Sequence, residues 1–159
     1  MAAYQTSYPD RPAKGLHGAS ASEEIKNDIS RTIENAPGVR FGEPVQRGAG
    51  DHGVVPFAAD GKFVGIAKLN PAVPAVAAGS TLIDGYPQYF TAAIRERGQM
   101  YVAVSAAVAD GDPVYYVTAT NTYTNVAGAG AVGPLPNVLF DTTGAAGDIV
   151  EISLQNRSA

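Results

Sequence analysis

The stretch RERGQMYVAVSAAVADGDPVYYVTA, residues 95–119, sets two runs rich in Val and Tyr on either side of Asp110, Gly111, Asp112 and Pro113. Asp-Gly supplies the positive backbone dihedrals and local hydrogen bonds of a chain reversal. Pro113 blocks helix and brings no amide hydrogen to an interior strand. The spacing therefore predicts two strands around a tight turn. Almost no side chain suited to catalysis accompanies it, and strand signals without chemical equipment recur along the chain.

Short apolar runs punctuated by turn residues continue on both sides. Upstream lie GVRFGEPVQRG (38–48), GVVPF (53–57), KFVGIAKL (62–69) and PQYFTAAI (87–94), and downstream NVLFD (137–141) and DIVEISLQ (148–155). With 18 Gly, 11 Pro and only 16% charged residues in 159, the composition disfavours a helical bundle and suits many short strands joined by turns. The expected fold is mainly β, a small antiparallel barrel or sandwich of about 7–9 strands over residues 38–159. Asp60-Gly61 predicts a two-residue hairpin. The cluster Arg95, Glu96 and Arg97 reads as a solvated loop between strands, and Gly128 to Gly133 as a loop.

Two other segments precede this domain. Residues 22–37 read as a short helix: Ser22 as N-cap, Glu23 and Glu24 at the positive helix start, Ile25, Ile29 and Ile33 every fourth residue, and Pro37 with Gly38 as the stop. The Ile stripe contacts either the domain's own sheet or another subunit. Residues 1–21 show no period and read as an extended arm. Ordering such an arm costs roughly 1–2 kcal/mol per residue. Either it stays a loose terminus or it becomes ordered against a partner, with Tyr4, Tyr8, Pro9 and Pro12 as rigid apolar anchors and Arg11 and Lys14 as charged contacts.

Several chemistries fall away. The chain has no Cys and two His, so thiolate metal sites, disulfides and cysteine nucleophiles are absent. Asp51 and His52 are adjacent and on an extended chain point apart. Asp110 and Asp112 read as turn residues rather than a cation site. Gly48-x-Gly50-x-x-Gly53 and Gly128-x-Gly130-x-x-Gly133 have dinucleotide-loop spacing but run into Val54-Val55-Pro56 and Pro134 instead of a helix. No cofactor, metal or catalytic residue is expected. The net charge of −4 gives no attraction for nucleic acid or anionic lipid. No secretory or membrane segment is seen, so a soluble, unsecreted protein is expected.

Taken in order, GVRFGEPVQRG (38–48), KFVGIAKLNPA (62–72), YPQYFTAAI (86–94) with RGQMYVAV (97–104), and AAVADGDPVYYV (106–117) resemble the structural cement, or decoration, proteins of tailed bacteriophage capsids. The resemblance spans residues 28–154, and departs in the leading arm and in the Pro- and Ala-rich segment 70–79. It implies a non-enzymatic virion protein made in the host cytoplasm. Such a protein binds the assembled major-capsid lattice on its outer surface and resists internal genome pressure. Self-association is expected, a trimer matching three-fold junctions and a dimer two-fold ones. The alternative is a small β-barrel carrier or ligand-binding module, suggested by the Gly111-Asp112 turn, with Lys62 or Lys68 as the modifiable residue.

Overall fold

The computed structural model describes residues 14–73, 80–82 and 84–155. Among them are twelve strands and no helix: β1 (Asn27–Ile33), β2 (Gly38–Arg40), β3 (Pro44–Arg47), β4 (Gly53–Pro56), β5 (Phe63–Ala67), β6 (Gly85–Pro87), β7 (Thr91–Ala103), β8 (Tyr115–Val117), β9 (Thr122–Thr124), β10 (Ala131–Val132), β11 (Val138–Phe140) and β12 (Ile149–Leu154). The mainly-β expectation holds, with more and shorter strands than expected.

The predicted helix at 22–37 is corrected to a strand. A spacing of four is an even number, so Ile29 and Ile33 share one face of an extended chain as readily as one stripe of a helix. Asn27, Asp28, Ser30 and Thr32 are weak helix formers, and Ile29, Thr32 and Ile33 are β-branched. Pairing decides the matter: β1 runs antiparallel to β7 from Asn27↔Arg97 to Thr32↔Thr91 and parallel to β4 at Ile33↔Val54. The N-cap signal is real but local. Ser22 Oγ accepts from the Glu24 amide at 3.2 Å, closing a turn that no helix follows.

β1, β4, β3, β5 and β7 close into a five-stranded barrel, antiparallel except at β1–β4. Its interior is filled by Ile33, Val45, Val54, Ala67, Ala92 and Ile94. The β2–β6 ribbon lays Tyr86 over the end where β5 finishes; the ring is buried between Phe41 and Phe90, and its hydroxyl donates to the Lys68 carbonyl at 2.7 Å. β7 is a single strand of thirteen residues, and its second half leaves the barrel to pair with β12, which in turn pairs with β11. Gly98, at φ +124°, sits where β7 passes from one role to the other. The β10-β8-β9 sheet covers this extension, and Met100, Val102, Tyr116, Tyr123, Phe140, Val150 and Ile152 form a second core between them.

Two turn expectations divide. Gly111 adopts φ +90°, and the Asp112 amide donates to the Ala109 carbonyl at 3.1 Å, so the reversal at 109–112 is present. The strands it joins are not each other's partners: Val108 bridges Gly144 and Pro113 bridges Leu139. Asp60-Gly61 does not make a hairpin. β4 and β5 both pair with β3, on opposite sides, so residues 57–62 cross from the end of one to the start of the other. Gly128 and Gly130 lie in the expected loop, but Ala131–Val132 leaves it to pair with β8.

Candidate docking surface

The inner end of the expected arm is part of the fold. Extended backbone at residues 18–21 lies along the second half of β7: Gly18 N–H donates to Tyr101 O (2.8 Å), Tyr101 N–H to Ala19 O (2.9 Å), and Ala21 N–H to Gln99 O (3.2 Å). On its other side Leu69 N–H donates to Gly18 O at 2.8 Å. His17 accepts at Nδ1 from the Ala103 amide at 2.9 Å, and burial, the largest influence on it, pushes its pKa down. The ring is therefore neutral near pH 7, with its proton on Nε2. A β-carbon on Gly15 would overlap the Tyr101 ring, so the chain hugs β7 before it reaches Lys14.

The charge cluster at 95–97 is corrected from solvated loop to strand interior. Arg95 is 0% exposed, the largest fully buried side chain among the described residues. Its Nε and Nη2 donate to the two Asp28 oxygens at 2.6 and 3.0 Å, and Nη1 donates to Ser20 Oγ and Gln99 O, each at 2.8 Å. Lys68 Nζ also reaches Asp28, at 3.0 Å. Burial tends to raise the Asp28 carboxyl, but the hydrogen bonds from Arg95 and Lys68 outweigh it and hold the group below its ordinary 3.8. A planar guanidinium with three matched acceptors satisfies the conditions under which a buried charge is tolerated. No cue in RERG separates this arginine from its exposed neighbour, because Asp28 is remote in sequence.

A second polar network locks the β8–β9 hairpin to the barrel. Arg40 donates to Tyr116 Oη (2.8 Å) and Thr118 O (2.7 Å), Tyr116 donates to Asn121 Oδ1 (2.9 Å), and Tyr123 donates to Gly42 O (2.5 Å). Desolvation pushes the pKa of both tyrosines well up, so both remain neutral donors. The glycine motif at 48–53 is the β3–β4 turn, and its anion is internal: the Glu34 carboxylate accepts from Ala49 N–H at 2.8 Å and Gly50 N–H at 2.7 Å.

Of the residues expected to meet a partner, Tyr4, Tyr8, Pro9, Arg11 and Pro12 lie outside the described residues. Lys14 is exposed, Ile25 is 71% exposed, Ile29 is half-buried against the barrel core, and Ile33 is fully buried within it. The Ile stripe is thus divided between core and surface. Sequence reading missed Leu16, Tyr89 and Val126, which are 69, 76 and 60% exposed. Tyr89 holds φ +63°, an outlier for a bulky side chain, and Pro87-Gln88 before it is the only local turn signal. A groove of about 930 Å³ adjoins Leu16 and is lined by Phe41, Leu69, Pro71 and Val73 among its apolar members.

These features define a mainly β protein built on a five-stranded barrel, with large apolar side chains exposed at Leu16, Ile25, Tyr89 and Val126 among the described residues. The sequence matches the structural cement protein family (E217 gp24/Pam3 gp6) over residues 4–155, and the chain belongs to that family of phage proteins, whose role is structural. A chain of "The capsid of Myoviridae Phage XM1" has the same fold, with a TM-score of 0.68 at 19% identity, over 98% of this chain and 99% of that one. No curated protein matches the sequence.

Proposed function

We propose that this chain is a capsid cement protein that docks on the assembled major-capsid lattice of a tailed phage, on the outer surface, and resists expansion by the packaged genome. Family membership across residues 4–155 carries the reading. The match starts within the N-terminal segment, so the segment holding Tyr4, Tyr8, Pro9, Arg11 and Pro12 belongs to the family's common length. We assign those residues, with Lys14 and Ile25, to partner contact. Docking several copies to several capsid subunits turns weak single contacts into a strong assembly through raised effective concentration. A trimer fits three-fold lattice junctions. No catalytic turnover is part of this role.

Co-sedimentation of the full chain with expanded capsids lacking their own cement protein tests the reading; stoichiometric binding is expected, and its absence would sink it. Light scattering on the isolated protein is expected to give three times 16.3 kDa. A dimer would move docking to two-fold positions.

A further inference from the structure

Where the β3–β4 turn folds beside β1, two arginines occupy register positions of the face that lines the barrel. Arg47 is directly opposite Val54, and Val45 and Val54 are both fully buried in the barrel core. Arg31 stands between Ile29 and Ile33 in the alternation of β1 and opposite the buried Ala92. Arg31 is half-buried and Arg47 exposed, so neither charge is enclosed by the core and both stay within reach of a partner. Two like charges on one face also repel. Together with Asp51, His52 and the glycines of the turn they line a cavity of about 200 Å³.

Among the described residues Lys26, Arg40, Lys68 and Arg95 stand in ion pairs, and neither Arg31 nor Arg47 takes part in one. Arg31 donates only to its neighbour's carbonyl, Ser30 O, at 3.0 Å. Glu34, whose carboxylate closes the turn, is committed to the amides of Ala49 and Gly50, and β-carbons at Gly48 and Gly53 would overlap it; Asp51 lines the same cavity but forms no ion pair with either arginine. The turn is therefore held in place from within, and none of the described residues pairs with the positive charge beside it.

We infer that this cavity is a carboxylate-binding site, in which Arg31 and Arg47 take an acidic side chain of the protein surface on which the chain docks. The inference rests on the docking reading above and names the chemistry of the partner. Two planar guanidinium forks match one planar carboxylate, and a pocket of this size admits a side chain and not a helix. Asp51 within the lining disfavours a doubly charged phosphate more than a singly charged carboxylate. The net charge of −4 opposes approach of a polyanion such as nucleic acid.

The test has two arms. In the first, the full chain is titrated with N-acetyl-tetraglutamate and, at matched ionic strength, with N-acetyl-tetraglutamine, while backbone amide shifts are followed by NMR. Shifts confined to Arg31, Arg47 and residues 48–53 are expected with the glutamate peptide, at least about tenfold weaker with glutamine and in the Arg31→Gln/Arg47→Gln variant. Equal responses to both peptides, or tighter binding of tetrathymidylate at the same amides, would overturn the site. In the second arm the same variant is compared with the unaltered chain on cement-free capsids, with melting temperature as a folding control. About tenfold weaker co-sedimentation at unchanged melting temperature is expected. Undiminished binding by the variant would overturn the assignment of partner. Failure of the unaltered chain to bind capsids would instead sink the docking reading, and the peptide titration would still decide the pocket.

Discussion

Arg95 and the Arg31–Arg47 pair occupy two ends of the same β1–β7 neighbourhood and show what context does to one residue type. Arg95 is wholly buried and held by Asp28, Ser20 and Gln99, and it ties the N-terminal segment, β1 and β7 together. Arg31 and Arg47 line a cavity shared with Asp51 and take part in no ion pair among the described residues. A buried charge with all its partners fixes the fold, because losing one partner strands the other in a medium that solvates it poorly. An unpaired charge at a rim adds little to the fold and remains free for recognition.

The largest effect that would break this contrast is expected at Asp28. Asp28→Ala leaves the Arg95 guanidinium without its charge partner and is expected to cost about 3–5 kcal/mol in unfolding free energy by denaturant titration. A loss under about 1 kcal/mol, the range of exposed pairs, would show that Arg95 is solvated after all. The same pair sets an acid limit. Asp28 holds its proton more weakly folded than unfolded, so its contribution is present above pH 3.8 and is lost as pH falls through the lower folded value. Stability is expected to decline in that acid range, with a shallower decline in Asp28→Ala.

Next in size is truncation. A chain starting at Ser22 loses the six hydrogen bonds that tie His17, Gly18, Ala19, Ser20 and Ala21 to residues 69–103, one of them to Arg95. At roughly 0.5–1.5 kcal/mol each, a loss of several kcal/mol is expected. A chain starting at Lys14 keeps all six, and its melting temperature is expected to match the full chain. That pair of truncations separates folding from docking: weakened capsid binding by the Lys14 chain alone is a partner effect. Equal melting temperatures for both would place residues 17–21 outside the cooperative fold.

Smaller effects sharpen the picture. Gly111→Val is expected to cost about 1 kcal/mol or more, purely through backbone strain, because φ is +90° and a β-carbon there meets no atom within 4 Å. An unchanged melting temperature would mean the turn relaxes to another type. Smallest is Arg47→Ala, expected within about 0.5 kcal/mol of the unaltered chain. A loss comparable to that of Asp28→Ala would make Arg47 a folding residue and erase the contrast.

The sequence by itself determined the strand-rich class, the reversal at Gly111, the closing strand at 149–154 and the family resemblance. Each of these rests on local signals: β-branched runs, a residue that tolerates positive φ, alternation over a few positions. Tertiary structure alone decided three things. Ile29 and Ile33, four apart, satisfy both a helix stripe and a strand face, and only pairing with β4 and β7 chose the strand. Arg95 and its neighbour Arg97 look alike in sequence, and only Asp28, brought 67 positions across the chain, made one of them a core residue. Arg31 and Arg47 lie far apart along the chain, and barrel closure placed both beside one cavity. Burial and charge pairing are properties of which strands meet, and strands meet through long-range contacts that no local window of residues contains.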